Sequence, residues 1–530
     1  MLLSGGNSFQ ASLVPYSKLP NDKKAILANS IAVACDKALE ESIKGEIVST
    51  AELLTFLKTV PEIMKQRKPQ LLKILKKLLE RYDPSNNELL IELFSQTMPS
   101  AADMKWTTRS ENSDVPQEVI DKNPDFWNTV IKHSNILSKL LNSDKKLIET
   151  SLSFVKLFPA LLDFPLRLSL FNQANRRKLK KRILKVKVNR DKIIEDSFEI
   201  IRFAPKETFL GEINVSFVGE DGVDMGGVRR DWFTSLIRAL FNPGYALFTK
   251  DREPNPTSNV IPMHLHYFNF AGQILARAVI DNVNVDCHLP TVLCKEILGV
   301  KVTLRDLEKT DPELFRSLQW MSQNDVTPLE MKFTFGSEEL GVSKEIPLIE
   351  NGENIDVTND NKEDFIEKVV RYRLVGRTKE QTNAFVSGFH SLISKDELKM
   401  FNPSELDLII CGVPIIDVKD MRQYSRYTFP FTADHPVVER FFAVIRHWSR
   451  DDLAKLLLFV TGSSQMPIGG FKAFKDSGMS FTLAPGGDHD RLPAAHTCIN
   501  TLDLPEYRSE NELNEKLHLA INECNTFGFQ

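Results

Sequence analysis

Cysteine is scarce in this chain. There are six in 530 residues, Cys35, Cys287, Cys294, Cys411, Cys498 and Cys524, and no two form a C-x-x-C pair. Such sparse usage argues against a disulfide framework and suits a reducing compartment. Long apolar runs are missing too. No stretch of about eighteen apolar residues occurs, so no membrane span is expected. The first twenty residues lack the basic start and continuous apolar segment of a signal peptide. Charge of one sign is also absent. Lys+Arg 67 against Asp+Glu 71 leaves a net charge of −4, so no whole-chain field favours nucleic acid. These absences lead to the expectation of a soluble intracellular protein, cytoplasmic and with the nucleus open to it. At this length two to four domains are expected rather than one core.

What is present changes texture along the chain. From residue 21 to about 97, "KKAILANSIAVACDKALEESI", "TAELLTFLKTVPEIMKQ", "KPQLLKILKKLLERY" and "NNELLIELFSQTM" carry apolar residues at helical spacing. Thr50 and Asn86 suit N-caps. Residues 99–124 are polar and weakly patterned, which reads as a linker. Helical patterns resume at "FWNTVIKHSNILSKLLN" and "LSFVKLFPALLDFPLRL". From about 210 the pattern mixes α and β. "EINVSFVGEDG", "LEMKFTF" and "ENIDVTN" read as strands, and "VDCHLPTVLCKEIL" as a helix. Gly412 and Pro414 interrupt the apolar run "LDLIICGVPIIDV", so no continuous helix passes through it.

"NRRKLKKRILKVKVNRD" holds nine basic residues between Arg176 and Arg190. The preferred reading is a solvated face running into a strand, with Leu179, Ile183, Leu184, Val186 and Val188 buried. A nucleic-acid patch is disfavoured, because no aromatic residues interleave with the charges. "GEDGVDMGGVRRDWF" lacks the Lys-Ser/Thr ending of a phosphate loop. His264-x-His266 and Cys287-His288 lack a second pair at zinc spacing, so no metal site is expected.

Thiolate chemistry needs an exposed cysteine whose charged form is stabilised. Cys35, Cys287, Cys294, Cys411 and Cys524 all lie in apolar or amphipathic patterns and read as structural. Cys498 differs. In "RLPAAHTCINTLDLPEY" it follows Pro493 and a Gly-rich stretch, with Arg491 and His496 beside it. It is either a small buried residue at a strand end or a nucleophile at a loop-to-strand transition. These features alone leave both readings open.

Several ordered motifs bear on the choice. "FVGEDGVDMGGVRRDWF", "LFNPGYALF", "DLEKTDPELFRSLQWM" and "VTNDNKEDFIEKVVRYRL" are followed by "ELDLIICGVPIID", "LLLFVTGSSQMPIGGF" and "RLPAAHTCINTLDLPEY". In this order, from about Leu184 onward, the chain resembles the HECT-type ubiquitin ligases. The resemblance implies an α+β fold. Its catalytic domain would be bilobal, with a mainly helical N-lobe carrying small strands and a mixed α/β C-lobe, behind an all-α N-terminal region. Together with the patterns above, this gives a helical region over 1–98, a linker over 99–124 and a helical extension over 125–183, which the resemblance places on the N-lobe. The N-lobe would then span 184–411, a hinge 412–414 and the C-lobe 415–530.

The resemblance further implies that Cys498 accepts ubiquitin as a glycyl thioester from a conjugating enzyme and passes it to a substrate lysine. Arg491, His496 and Thr497 would flank the nucleophile, and Phe527 would help position the donor tail. Leu314, Leu318, Met331 and Phe365 would bind the conjugating enzyme, and Gly412, Val413 and Pro414 would form the hinge. No cofactor and no metal are implied, and the substrate is not identified. Three positions depart from the family pattern. Ile499 stands where Phe is usual, Val369 where an aromatic is common, and "TKDREPNPTSNV" lacks the aromatic pattern of a ubiquitin-holding exosite. Two other readings compete: a non-catalytic adaptor that keeps the fold, and a nucleic-acid scaffold built on the 176–190 run.

Overall fold

The computed structural model describes residue 50 onward, apart from 60, 105–114, 221–226, 340–341, 413–415, 477, 498 and 527–530, together with isolated positions between 32 and 42. These residues form two compact units that divide between Arg167 and Leu168.

The first unit is helical. Helices α1 (Lys68–Glu80) and α2 (Asn87–Thr97) bury Leu71, Ile74, Leu75 and Leu79 against Leu89, Leu90, Leu93 and Phe94. That is the i, i+3, i+4 stripe that drives helix pairing. Helices α3 (Pro124–Lys132) and α4 (Ser134–Ser143) add Phe126, Trp127, Val130, Ile136, Leu137 and Leu140. Rings of Phe126, Trp127, Phe154 and Phe158 meet edge to face at 4.9–5.8 Å, the geometry aromatic quadrupoles prefer.

Several expectations need correction here. The stretch read as a linker contains a helix, Gln117–Lys122, because Val119 finds a fully buried position. The pattern "LSFVKLFPALLDFPLRL" does not form one helix. Pro159 removes a donor, and short 3-10 turns at Ser153–Lys156 and Pro159–Leu161 precede a helix over Phe164–Arg176. Asn86 stands at the N-cap of α2 without a capping hydrogen bond, while Asp83 caps the turn before it through Ser85 N–H at 2.8 Å.

The second unit opens with a parallel pair, β1 (Ile183–Val188) and β2 (Glu212–Phe217), in register from Ile183↔Glu212 to Val188↔Phe217. Along β1 burial alternates strictly, with Leu184, Val186 and Val188 inside. Ile183 and Leu179 are exposed, contrary to expectation, since the two-residue period of the strand turns Ile183 outward. The basic run is partly neutralised by its neighbours. Lys178 pairs with Glu397, Arg182 with Glu207, and Arg190 with both Glu220 and Asp231.

Around this pair pack α5 (Gly227–Leu240) and α6 (His264–Ile280). Buried Arg277 of α6 donates to Gly211 O at 2.7 Å and to buried Asp281 at 3.0 Å. A smaller core between Val302 and Val375 gathers residues of α7 (Pro312–Gln323) and α8 (Lys362–Leu374), and Phe335 of β3 (Thr334–Glu339), which forms an antiparallel hairpin with β4 (Val342–Pro347), packs against it. "ENIDVTN" does not form a strand. Gly352–Asn354 is a turn, and Asp356 makes a single bridge to Lys332. Helix α9 (Lys379–His390) then lies backbone to backbone on α6, and α10 (Pro403–Cys411) follows.

Residues Met421 to Ile521 close over a core of their own, built from α11 (Pro436–Ile445), α12 (Arg450–Thr461), α13 (Glu510–Thr526) and a four-stranded sheet. The sheet order is β5 (Arg426–Tyr427), β6 (Thr482–Pro485), β8 (Thr501–Leu504), β7 (Ala494–His496). β7 runs antiparallel to β8, and the other pairs are parallel. No helix among the described residues is long and apolar enough to cross a membrane.

Candidate active site

The site is assembled on the β7–β8 hairpin. Leu502 and Leu504 of β8 are fully buried and hold the strand on the core, which by alternation turns Thr501 and Asp503 to the opposite face. His496 pairs with Thr501 and Ala494 with Asp503, so His496 and Asp503 are diagonal neighbours on one face. His496 Nε2 lies 2.8 Å from Asp503 Oδ2. A carboxylate at that nitrogen holds the ring in one orientation.

The strands join through a tight turn. Ile499 N–H donates to His496 O at 3.1 Å and Asn500 N–H to Thr497 O at 3.4 Å. Asn500 adopts φ +51°, a left-handed conformation that Asn tolerates. Its carbonyl accepts from Thr482 N–H at 2.9 Å, which ties the turn to β6. Cys498 itself lies outside the described residues, as does Phe527. The neighbours of Cys498 in sequence are accessible: Thr497 is half-buried and Ile499 is 50% exposed. Arg491 is exposed, and its carbonyl accepts from the hydroxyl of buried Tyr507 at 2.6 Å.

Sequence reading missed three residues here. Asp503 sits within the quoted motif, and counting alternate strand positions from His496 would have found it. Asn500 and Arg230 carry no such signal. Arg230, on α5, donates to Thr497 O at 2.9 Å and to Asn500 Oδ1 at 2.8 Å, and contacts Met479 Sδ at 3.1 Å.

Gly412 has φ +77°, and a Cβ there would lie 2.3 Å from Met466 O, so glycine is required twice over. Val413 and Pro414 are outside the described residues. The apolar quartet is split by the fold. Leu318 and Phe365 are each 2% exposed within the Val302–Val375 core, whereas Leu314 and Met331 pack against it partly open. Trp320, Leu329 and Ile355 stand exposed in the same region. Val369 is buried, so its departure from an aromatic is a change of core packing.

Cys287, Cys294 and Cys411 are free and buried. Cys287 lies in an irregular stretch rather than the expected helix, which begins only at Thr291 after Pro290. Burial pushes the Cys294 thiol up to about 12. It pushes Cys287 and Cys411 up as well, with Asp407 adding to the shift at both. A protonated thiol is a poor nucleophile. Iodoacetamide should therefore leave these three unmodified in the native protein. Mass spectrometry after brief labelling checks this, and rapid modification of any of them would contradict their assignment as structural.

One trio among the described residues could gather a metal. Ligand-capable atoms of His288, Asp407 and Cys411 lie within 4.8 Å of one another. They already satisfy each other. His288 Nδ1 meets Asp407 Oδ2 at 2.9 Å, and Cys411 Sγ donates to Asp407 Oδ1 at 3.5 Å.

Comparison with known proteins bears on the hairpin. Residues 234–530 match the HECT-domain (ubiquitin-transferase) family. The chain is 36% identical over 440 residues to the E3 ubiquitin-protein ligase UPL1 of Arabidopsis thaliana, a match covering 79% of this chain and 12% of that protein. It is 38% identical over 405 residues to TOM1 of Saccharomyces cerevisiae, covering 74% of this chain and 12% of that one. To pub3 of Schizosaccharomyces pombe it is 39% identical over 354 residues, covering 65% and 44%. All three are named E3 ubiquitin-protein ligases. The chain thus spans about 12% of the length of the first two.

Proposed function

The chain belongs to the HECT-domain ubiquitin-transferase family, and from that premise we propose that it accepts ubiquitin from a conjugating enzyme as a thioester on Cys498 and passes it to lysines of a protein substrate. One observation carries the reading. The family match runs through "AAHTCINTLDLP", and its cysteine sits in sequence between accessible Thr497 and Ile499, whereas Cys287, Cys294 and Cys411 are buried.

The chemistry requires sulfur. The Cys498 thiolate attacks the carbonyl of the incoming thioester, a new thioester forms, and the conjugating enzyme's thiolate leaves. Exchange between thioesters is close to neutral in free energy, so the acyl group stays activated. A lysine amine then attacks, an isopeptide bond forms, the amine loses its proton and the Cys498 thiol is released.

Residues 184–411 act as an N-lobe and 415–530 as a C-lobe, joined by a hinge at Gly412, Val413 and Pro414. The lobes swing so that the two thiols approach, turning a rare encounter into an effectively unimolecular step. The conjugating enzyme docks on the Val302–Val375 subdomain. Leu314, Met331, Trp320 and Leu329 supply the contact surface, and Leu318 and Phe365 support it from beneath. A cytoplasmic setting with access to the nucleus keeps the thiol reduced.

Ubiquitin-charged conjugating enzymes, offered as a panel, should place one ubiquitin on the chain in a bond that dithiothreitol cleaves. If every charged enzyme leaves the chain unmodified, the proposal fails. The His496–Asp503 pair makes a second expectation. Asp503→Asn should slow discharge to lysine about tenfold, by releasing the imidazole from its orientation, with thioester formation less affected. Discharge at the wild-type rate would remove Asp503 from the mechanism.

A further inference from the structure

We propose that Arg230 is an interlobe latch: it grips both ends of the Thr497–Asn500 turn and positions that turn for the second half-reaction, transfer to lysine. The inference rests on the ligase reading above and adds to it a positioning residue and the step that residue serves.

Arg230 stands on a rigid base. It lies in the first turn of α5, and Trp232 and Phe233, two and three residues further along, are fully buried, with Trp232 Nε1 donating to Ser197 Oγ at 3.0 Å. From that base the guanidinium crosses to the other lobe. One nitrogen, Nη2, donates both to Thr497 O, at 2.9 Å, and to Asn500 Oδ1, at 2.8 Å. Thr497 and Asn500 are the first and last residues of the turn, and Thr497 directly precedes Cys498 in sequence. Within the turn, the Thr497 carbonyl receives only the long 3.4 Å contact from Asn500 N–H. A charged donor to that carbonyl is the stronger contact. Sulfur of Met479 at 3.1 Å completes the pocket around the guanidinium.

Nearby, an uncharged contact also joins the lobes: Ser463 Oγ donates to Asn284 O at 3.3 Å. Gly462 stands close to the start of α5, where an added Cβ would lie 3.7 Å from Gly227 O. Among the described residues, Arg230 therefore makes a contact that combines charge, direction and a carbonyl next in sequence to the nucleophile. It exists only while the lobes are together, so it acts on the turn in one arrangement and releases it in another.

The step follows from where Arg230 sits. It belongs to α5 and lies outside the Val302–Val375 subdomain on which the conjugating enzyme is proposed to dock. The arrangement it latches holds Thr497 and Asn500 to α5, which is not part of that docking subdomain. That arrangement suits the loaded enzyme awaiting an amine.

Single-turnover kinetics on the full chain separate the two half-reactions. Loading is read as the rate at which the thioester appears after mixing with a charged conjugating enzyme. Discharge is read as the rate at which the isolated thioester disappears on adding free lysine. Arg230→Met should slow discharge by about tenfold or more while loading stays within about twofold, the loss expected for a misplaced reacting group. Arg230→Lys should fall between, because an ammonium keeps the charge but lacks the guanidinium's reach and its second nitrogen, which meets Met479 Sδ. Asn500→Gly keeps the left-handed backbone, deletes one acceptor and should slow discharge about threefold. If the two residues act through one contact, the double variant should discharge no slower than Arg230→Met alone. Equal slowing of loading and discharge, no slowing of either, or simple multiplication in the double variant would overturn the latch. Should Arg230→Met not fold, Asn500→Gly decides by the same two rates. A wild-type chain that never forms a thioester overturns the ligase reading instead.

Discussion

Cys498→Ala is expected to abolish ubiquitin transfer, lowering it by at least about 10³-fold, as removal of a covalent nucleophile does elsewhere. No other cysteine shown here stands ready to replace it. Cys287, Cys294 and Cys411 are buried, and desolvation holds their thiols protonated. Cys498→Ser sharpens the test. The hydroxyl accepts the acyl group more slowly and forms an oxyester, which lies lower in free energy than a thioester and does not pass readily to an amine. The expected pattern on a non-reducing gel is a shifted band for wild type that dithiothreitol removes, and no band for Cys498→Ala. A band that survives dithiothreitol is expected for Cys498→Ser. A dithiothreitol-sensitive band persisting in Cys498→Ala would place the nucleophile elsewhere and end the proposal.

The second large effect is on stability. Gly272 of α6 and Gly388 of α9 face each other's backbones. A Cβ on Gly272 would lie 2.0 Å from Phe385 O, and one on Gly388 would lie 1.9 Å from Asn269 O. Neither obstacle is the free end of a side chain, so the helices themselves would have to separate. Gly→Ala inside a helix ordinarily stabilises by up to about 1 kcal/mol. Here overpacking should reverse the sign and cost on the order of 3 kcal/mol at either position. Gly336→Ala is the control, because nothing lies within 4 Å of its added Cβ. Urea unfolding should show a lower midpoint for Gly272→Ala and Gly388→Ala and an unchanged one for Gly336→Ala. A midpoint at or above wild type for both helix variants would mean that the two backbones do not meet as described.

Local rules reached far into this chain. The stripe in "KPQLLKILKKLLE" is the buried face of α1, and strict alternation in "ILKVKV" is β1. Both patterns are periodic, and periodicity belongs to the backbone geometry of one element. The same rules failed where neighbours decide. Leu314 and Leu318 are one helical turn apart on α7 and read as one apolar face, yet Leu318 is inside the core and Leu314 only half covered. Arg229 and Arg230 are identical in type and adjacent. A rotation of about 100° per residue separates them on the helix, and only the tertiary closeness of α5 to the β7–β8 turn decides that Arg230 meets it.

The amino-acid order alone singled out Cys498 as the proposed acyl acceptor, through a family motif, since a motif is a matter of covalent identity and near neighbours. Folding settled what surrounds it. Asp503 reaches His496 through strand pairing, and Arg230 reaches Thr497 across 267 positions of chain. Contacts of that span arise when distant cores close on one another, and no period within a single segment encodes them.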